Sequence, residues 1–368
     1  MIEQPHIIIS GGGTGGHIFP AIAIADALRR EIPDCKILFV GAKGRMEMEK
    51  VPAAGYEIIG LPVAGFQRRI TLKNVTFFFK LASSMWQSWR IIRRFKPLVA
   101  VGVGGYASGP VLRAASAKGV PILIQEQNSY PGVTNKILAR KAAAICVAYP
   151  GMDRFFPKEK IVFTGNPVRS VLSSNFEKSE GYKYFGLNPA FSTILVVGGS
   201  LGARSINQGL LCRIEQLKGL PVQVLWQTGK YYFDDIEAAM AGKKLENVKT
   251  MAFVKRMDLA YAIADVVVSR AGASTISELA LLGKAAVLVP SPNVSEDHQT
   301  KNAMALVNAN AAVLVKDDST DDNLLPEALR ILNNDELRAE LEKNVRGLAR
   351  PAADRDIALE VKKIIDRK

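Results

Sequence analysis

The chain is poor in the residues that staple or metallate small proteins, with three cysteines and three histidines among 368 residues. Cys35, Cys146 and Cys212 stand far apart. An odd, scattered set supplies neither a disulfide framework nor a zinc site, and predicts a reducing compartment. No apolar run reaches the roughly 18–20 residues of a membrane-spanning helix. The opening Met1-Ile2-Glu3-Gln4-Pro5 has no basic stretch leading into an apolar core, so no secretory signal is expected. The pattern G-x-x-x-x-G-K-[ST] is missing, which argues against a P-loop NTPase. So is a strand-ending Asp-x-Asp metal signature; Asp317-Asp318 and Asp321-Asp322 lie in a polar stretch and are expected to face solvent. Acids are in overall deficit, 35 against 48 Lys and Arg, which gives a net charge of +13 and a pI near 9.6. That balance suggests an anionic partner: nucleic acid, anionic lipid or a phosphorylated substrate.

What is present is ample apolar sequence, 48% of the residues, in a length that predicts two domains. The first half opens with a β-branched strand, His6 to Ser10, then the loop Gly11-Gly12-Gly13-Thr14-Gly15-Gly16. A helix is predicted from Pro20 to Leu28, with proline at its start, and a second strand from Lys36 to Val40. The second half repeats this order. Thr193 to Val197 reads as a strand, Gly198 to Ala203 as a turn and Ser205 to Ile214 as a helix. Further strands are predicted at Val222 to Trp226, Lys249 to Phe253, Val266 to Ser269 and Ala286 to Val289, the continuous apolar runs of buried parallel sheets. The fold class is α/β, with two Rossmann-like doubly wound domains. The boundary is expected at Gly165-Asn166-Pro167-Val168-Arg169, giving domains 1–165 and 166–349. The polar stretch from Ser170 to Ser192 looks helical, and an amphipathic helix over 350–368 is a candidate to pack back on the first domain.

Four glycine turns fall at predicted carboxyl ends of strands: Gly11 to Gly16, Gly102 to Tyr106, Gly198 to Gly202 and Arg270 to Ser274. Such turns let backbone approach phosphate, and the following helix offers unpaired N–H groups and a positive dipole end. Alone, each is also what a tight strand-to-helix connection requires. Together they predict a cleft for phosphorylated ligands. The first fits G-x-G-x-x-G through Gly11, Gly13 and Gly16. A dinucleotide site calls for an acid at the end of the second strand. That strand ends Val40-Gly41-Ala42-Lys43, leaving only Lys43 or Arg45 to face a 2′-phosphate, so an NADP-linked oxidoreductase ranks second.

Several motifs occur in order: Gly12-Gly13-Thr14-Gly15-Gly16-His17, Gly104 to Pro110, Glu126-Gln127-Asn128, Gly165 to Arg169, Gly198 to Arg204, Arg270 to Glu278 and Asp297-His298-Gln299. The set closely resembles the MurG family of bacterial peptidoglycan synthesis, from about residue 6 to 315. The resemblance implies the GT-B architecture, two Rossmann-like domains facing a central cleft. It implies inverting transfer of N-acetylglucosamine from UDP-N-acetylglucosamine to the 4-hydroxyl of undecaprenyl-pyrophosphoryl-N-acetylmuramyl-pentapeptide, lipid I. Donor contacts would be Thr14, Gly15, Gly16, Asn128, Arg169, Ser200, Val254, Ala273, Ser274, Thr275, Ile276, Ser277, Glu278 and Gln299. Acceptor contacts would be Gly13, Gly104, Gly105, Tyr106 and Asn135. Glu278, one turn into its helix, suits a ribose diol; completing a helix cap is its plainer role. Backbone near Val254 would take uracil, and Ser274, Thr275 and Ile276 would present N–H groups to phosphate. Arg169 and the helix N-termini would stabilise charge on departing UDP without a metal. No cofactor is expected.

Removing the acceptor's hydroxyl proton needs a base. His6 lies within a strand and reads as structural; His298 neighbours Gln299 and reads as donor-positioning. His17 directly follows the glycine loop, and an ordinary histidine side chain suits a general base near neutral pH; capping its helix or donating to acceptor phosphate are its other roles. Glu126, which follows the predicted strand Pro121 to Gln125, is the competing base, or the group that orients His17 or an acceptor hydroxyl. The choice between them stays open at this level.

Residues 66–96 carry Arg68, Arg69, Lys73, Lys80, Arg90, Arg93, Arg94 and Lys96 and no acid, interleaved with Phe77, Phe78, Phe79, Trp86 and Trp89. That mixture suits an interfacial helix on an anionic membrane, here the cytoplasmic face of the inner membrane. The plainer reading buries the aromatics in the domain core. No nucleic-acid fold signature accompanies the patch, so nucleic acid is not expected. A non-catalytic protein binding nucleotide sugar or anionic lipid would keep the loops and need no His17.

Overall fold

Parallel strands of unbroken apolar sequence need cover on both faces, and alternation with helices supplies it. A computed structural model of the chain describes residues 4–63, 73–168, 172 and 177–367. It divides into two compact units, Met1–Arg169 with Arg350–Lys368, and Ser170–Ala349.

The first unit's strands are His6–Ser10 (β1), Lys36–Ala42 (β2), Glu57–Leu61 (β3), Val99–Gly102 (β4), Ile122–Glu126 (β5), Ala144–Val147 (β6) and Ile161–Phe163 (β7). They pair in parallel in the order β3-β2-β1-β4-β5-β6-β7. The helices are Gly15–Glu31 (α1), Glu47–Ala53 (α2), Lys73–Phe95 (α3), Ser108–Ala117 (α4) and Val133–Leu138 (α5). Strand residues alternate between faces. Ile7, Ile9 and Val101 pack with Ile24 and Leu28 of α1, while Ile8, Ala100 and Ile124 pack with Val111 and Leu112 of α4.

Helix α1 corrects the expectation that Pro20 opens it. It starts at Gly15, and the N–H groups of both His17 and Ile18 donate to Thr14 O, at 3.1 and 3.2 Å. Pro20 sits inside, buried in the second turn. The glycine loop therefore runs straight into the helix, and His17 belongs to its first turn.

The second unit repeats the design with Ser192–Val197 (β8), Val222–Gln227 (β9), Val248–Met251 (β10), Val266–Ser269 (β11), Ala286–Leu288 (β12) and Val313–Leu314 (β13), ordered β10-β9-β8-β11-β12-β13. Its helices are Lys178–Phe185 (α6), Arg204–Arg213 (α7), Phe233–Met240 (α8), Met257–Ile263 (α9), Ala273–Leu282 (α10), His298–Val307 (α11), Thr320–Leu332 (α12) and Asp335–Gly347 (α13). Of the helical stretch expected over 170–192, only α6 forms among the described residues. Buried Trp226 donates its indole N–H to Asn207 at 3.0 Å, so the largest core side chain leaves no polar atom unpaired.

The last helix, Ala353–Asp366 (α14), sets Ile357, Ala358, Val361 and Ile364 into the first unit's core beside α1. Arg30–Asp354 and Arg355–Glu31 pairs at 2.6 and 3.0 Å flank it, but surface pairs add little; the apolar stripe does the anchoring. The dividing point falls after Arg169, at the far end of the Gly165-to-Arg169 segment. Asn166 explains this, because its side chain is buried and bonded to Gln125 and to Gln127 O in the first unit.

Lys284 gives the second unit a pH dependence. It lies between α10 and β12 and donates to Ala264 O at 2.7 Å. Burial, with Lys178 nearby, lowers its pKa to about 8. The unfolded chain then binds more protons than the folded one between about pH 8 and the ordinary lysine value near 10.4, so this group's contribution to stability grows with rising pH and is lost as pH falls through 8. Denaturant unfolding of the wild type and Lys284→Met across pH 7.5 to 10 tests this. The wild type gains on the variant by about 2 kcal/mol over that range; a constant gap refutes the assignment.

Candidate active site

In sheets ordered in this way the strand order reverses at one pair of parallel strands, and the loops leaving that pair part to form a crevice at the strands' carboxyl ends. In the first unit the pair is β1 and β4, which carry the first two glycine loops. The loops touch through backbone. A Cβ on Gly105, at φ +83°, would lie 2.2 Å from Gly12 O, so only glycine fits there.

Beneath these loops lies Glu47, a residue sequence reasoning missed. It is buried at 1% exposure. Its Oε2 accepts from Gly13 N at 3.1 Å and its Oε1 from Ala42 N at 2.9 Å. The Gly13 N–H, expected to meet the acceptor, is therefore engaged within the chain. No local pattern marks Glu47 as a site residue, because the glycine loop it holds lies 34 residues away.

His17 lies over the second loop. Its Nδ1 is 3.1 Å from Thr14 Oγ1, and a Cβ on Gly104 would meet the ring's Nε2 edge at 2.9 Å. Gly15 and Gly16 precede it in the first turn of α1, which carries no acid. Tyr106 is 59% exposed beside the loop. His6 is structural: its Nδ1 is 2.6 Å from Phe95 O and its ring stacks on Phe95.

Glu126, the last residue of β5, has a fully committed carboxylate. Oε1 accepts from Asn128 N and Nδ2, at 3.0 and 3.2 Å. Oε2 accepts from Gly132 N at 3.1 Å and Asn135 Nδ2 at 2.8 Å. An ionised carboxylate offers about four acceptor directions, and the loop from Asn128 to Asn135 fills them. Burial pushes this carboxyl above the usual carboxylate range, against the pull of the four donors. Asn128 and Asn135 are thus loop-forming side chains; the buried Oδ1 of Asn135 has no partner among the described residues. Next to them Gln125, Gln127 and Asn166 form a buried amide chain that ends on Val103 O. It ties the ends of β4 and β5 to the segment leading to Arg169. Arg169 itself lies outside the described residues.

In the second unit the reversal lies between β8 and β11, again the two strands that carry glycine turns. Gln227, also missed, joins the parts. Its Nε2 donates to Gly199 O at 3.0 Å and its Oε1 accepts from Val254 N at 2.9 Å. The backbone N–H expected to read uracil is thus used internally, and Gln227 fixes that segment to the turn carrying exposed Ser200. The Lys249–Phe253 strand ends earlier than expected, at Met251, leaving Phe253 exposed.

Helix α10 begins at Ala273, with no acid in its first turn. Ile276 N donates to Gly272 O at 3.0 Å. This corrects the expectation that Ile276 presents a free N–H: it makes the first intrahelical bond, and only the earlier N–H groups lack such partners. Ser274 Oγ is buried without a partner among the described residues, and Ser277 Oγ donates to Ala273 O at 2.9 Å. Glu278 is 8% exposed and accepts from Tyr261 OH at 3.0 Å. Gln299 accepts from Ser291 N at 2.9 Å. Asp317 corrects another expectation, since it does not simply face solvent. It pairs with Arg270 and accepts from Ser205 Oγ at 2.5 Å, while Arg270 also donates to Val289 O and Pro290 O. The turn entering α10 is thereby held to its neighbours.

Residues 7–147 match the glycosyltransferase family 28 N-terminal domain, and residues 193–358 match the family 28 C-terminal domain. The chain belongs to glycosyltransferase family 28. Among family 28 relatives, a protein of Parabacteroides distasonis is 57% identical over 100% of both chains. It is named UDP-N-acetylglucosamine--N-acetylmuramyl-(pentapeptide) pyrophosphoryl-undecaprenol N-acetylglucosamine transferase. A transferase of the same name from Flavobacterium psychrophilum is 52% identical over 99% of each. Among solved structures, Acinetobacter baumannii MurG superposes with a TM-score of 0.78 at 30% identity, covering 98% of this chain and 99% of that one. A UDP-GlcNAc 2-epimerase from Neisseria meningitidis reaches 0.69 at 13% identity, covering 98% and 100%, a likeness of fold alone. Family 28 membership and the two parallel sheets together establish the GT-B fold.

The basic helix α3 is only partly described. Arg68 and Arg69 lie outside the described residues, as do the side chains of Lys73, Phe77 and Phe78. Phe79 and Trp86 are 73% and 58% exposed, so the core does not absorb them. Arg90 lies 4.7 Å over Trp86, and Arg93 and Lys118 lie 5.5 and 4.4 Å over Trp89. No helix among the described residues is long and apolar enough to cross a membrane.

Proposed function

We propose that the chain transfers N-acetylglucosamine from UDP-N-acetylglucosamine to the 4-hydroxyl of undecaprenyl-pyrophosphoryl-N-acetylmuramyl-pentapeptide. Full-length likeness to transferases named for this reaction carries the reading. The nicotinamide alternative has no such support. The second unit takes the donor through the β8 and β11 turns, Ser200, Glu278 and Gln299, and the first takes the acceptor diphosphate beside its paired glycine loops and Tyr106. The acceptor oxygen attacks the anomeric carbon, the bond from that carbon to the diphosphate oxygen breaks, and the electron pair leaves on UDP with inversion. Arg169 and the unneutralised start of α10 stabilise that charge. His17 takes the hydroxyl proton, since the saturated carboxylate of Glu126 has no acceptor direction left.

Glu278 accepts the ribose hydroxyls. Charged hydrogen bonds are worth about 1.5–3 kcal/mol, so Glu278→Ala raises KM for UDP-N-acetylglucosamine roughly ten- to hundredfold. The penalty shrinks with a 2′-deoxyribose donor. An unchanged KM, or the same penalty for both donors, sinks the ribose assignment.

The chain attaches to the cytoplasmic leaflet through α3, whose exposed aromatics and stacked cations support this reading. Each surface cation contributes about 1 kcal/mol on anionic lipid. Reversing Arg90 and Arg93 to glutamate thus weakens sedimentation with phosphatidylglycerol vesicles by about tenfold or more. Unaltered sedimentation contradicts the contact.

A further inference from the structure

Among the described residues, strand β3 is the outer edge of the first unit's sheet, and no further strand pairs with its outer side. Between this edge and the C-terminal half of α3 lies a groove of about 1330 Å³. This exceeds the roughly 300–1,000 Å³ typical of small-molecule clefts. Its walls are apolar and aromatic: Leu38, Ile58, Ile59, Trp86, Trp89 and Phe95. Ile59 is 40% exposed although it lies within a strand. An edge strand is ordinarily blunted by charge or covered; here an isoleucine faces open space beside two tryptophans.

The charge around the groove has one dominant sign. Lys36, Arg90, Arg93 and Arg94 line it, against Glu57 as the acid. None of the four cations is in the ion pairs found among the described residues. An apolar trough with a cationic border fits a ligand whose hydrocarbon chain is joined directly to an anionic head. A nucleotide would leave the trough unfilled, and an uncharged chain would bring no counter-ion to the cations.

We infer that this groove seats one acyl chain of an anionic phospholipid, drawn out of the bilayer between β3 and α3, with its phosphate among Lys36, Arg90, Arg93 and Arg94. The inference rests on the proposed membrane contact and adds a stoichiometric site to it. A surface contact needs a bilayer; a groove binds one lipid without one.

The test uses the full chain and short-chain phosphatidylglycerol below the concentration at which it forms micelles, read by Trp86 and Trp89 fluorescence and by native mass spectrometry. Saturable binding of one lipid per chain is expected, at least tenfold tighter than phosphatidylcholine of equal chain length. Ile59→Trp fills the trough from an already exposed position. It should abolish monomer binding while sedimentation with anionic vesicles stays within twofold of wild type. Vesicle binding without monomer binding overturns the groove and leaves the surface contact standing. Loss of both in the wild type overturns the membrane reading as well. Equal binding of the two head groups, indifference to Ile59→Trp, occupancy by a polyprenyl phosphate alone, or a self-association that Ile59→Trp abolishes would each overturn the assignment.

Discussion

Replacing His17 by alanine lowers turnover by about a hundred- to ten-thousandfold, the range for loss of a positioned general base. The KM for UDP-N-acetylglucosamine changes by about threefold or less, because the imidazole acts on the acceptor's proton and contributes little to ground-state donor binding. The side chain sits half-buried in the first turn of α1, near Thr14 Oγ1 and over Gly104, and is not among the apolar residues that form the first unit's core. The folded chain should be intact by circular dichroism and unfolding midpoint. His17→Gln keeps a polar side chain but cannot take a proton near neutral pH, and falls with the alanine variant. A turnover within tenfold of wild type in both would move the base elsewhere.

Glu126→Ala acts on stability first. It strands four donors, the N–H groups of Asn128 and Gly132 and the amides of Asn128 and Asn135, around a space at 2% exposure. Removing one side of a buried charged arrangement costs roughly 3–5 kcal/mol, against about 1 kcal/mol for an ordinary point change. Denaturant unfolding should therefore report a drop of that size, with hydrogen exchange at Asn128 and Gly132 speeding up before the sheet opens. Glu126→Gln keeps one carbonyl acceptor and loses about half as much. Any loss of activity in these variants tracks the loop, so activity at low temperature recovers partly in the glutamine form. An alanine variant within about 0.5 kcal/mol of wild type would mean that the loop does not depend on this carboxylate.

Glu126 also illustrates what the sequence could and could not disclose. Its place at a strand's carboxyl end was legible, because continuous apolar runs mark buried parallel strands. The same signal located β11 to the residue and β8, β9 and β12 to within one residue at an end. The start of α1 was not legible, since glycine is a poor helix former and Pro20 offered a stronger local start signal. The backbone of Thr14 overrides both by accepting two bonds at the helix entrance.

The site was legible where chemistry is local, in glycine turns at strand ends. It was opaque where function depends on distant partners. Glu47 reaches Gly13 across 34 residues, Gln227 reaches Val254 across 27, and Gln125 reaches Asn166 across 41. Arg270 and Asp317 lie 47 residues apart, which is why Asp317 read as a solvent-facing acid. No periodicity records such pairs, since they exist only once the sheet order brings two loops together. These buried amides and carboxylates hold the turns that the motifs name.

The most direct test of the central claim is transfer itself. Purified full-length protein is given UDP-N-acetylglucosamine with a radiolabelled sugar, with and without a lipid-linked N-acetylmuramyl-pentapeptide acceptor, and the labelled lipid product and released UDP are both quantified. Product and UDP should form in equal amounts, dependent on acceptor, and both should fall in Glu278→Ala and in His17→Ala. UDP release that is indifferent to the acceptor, or no labelled product from a folded chain on acceptor-bearing anionic vesicles, would contradict the central claim.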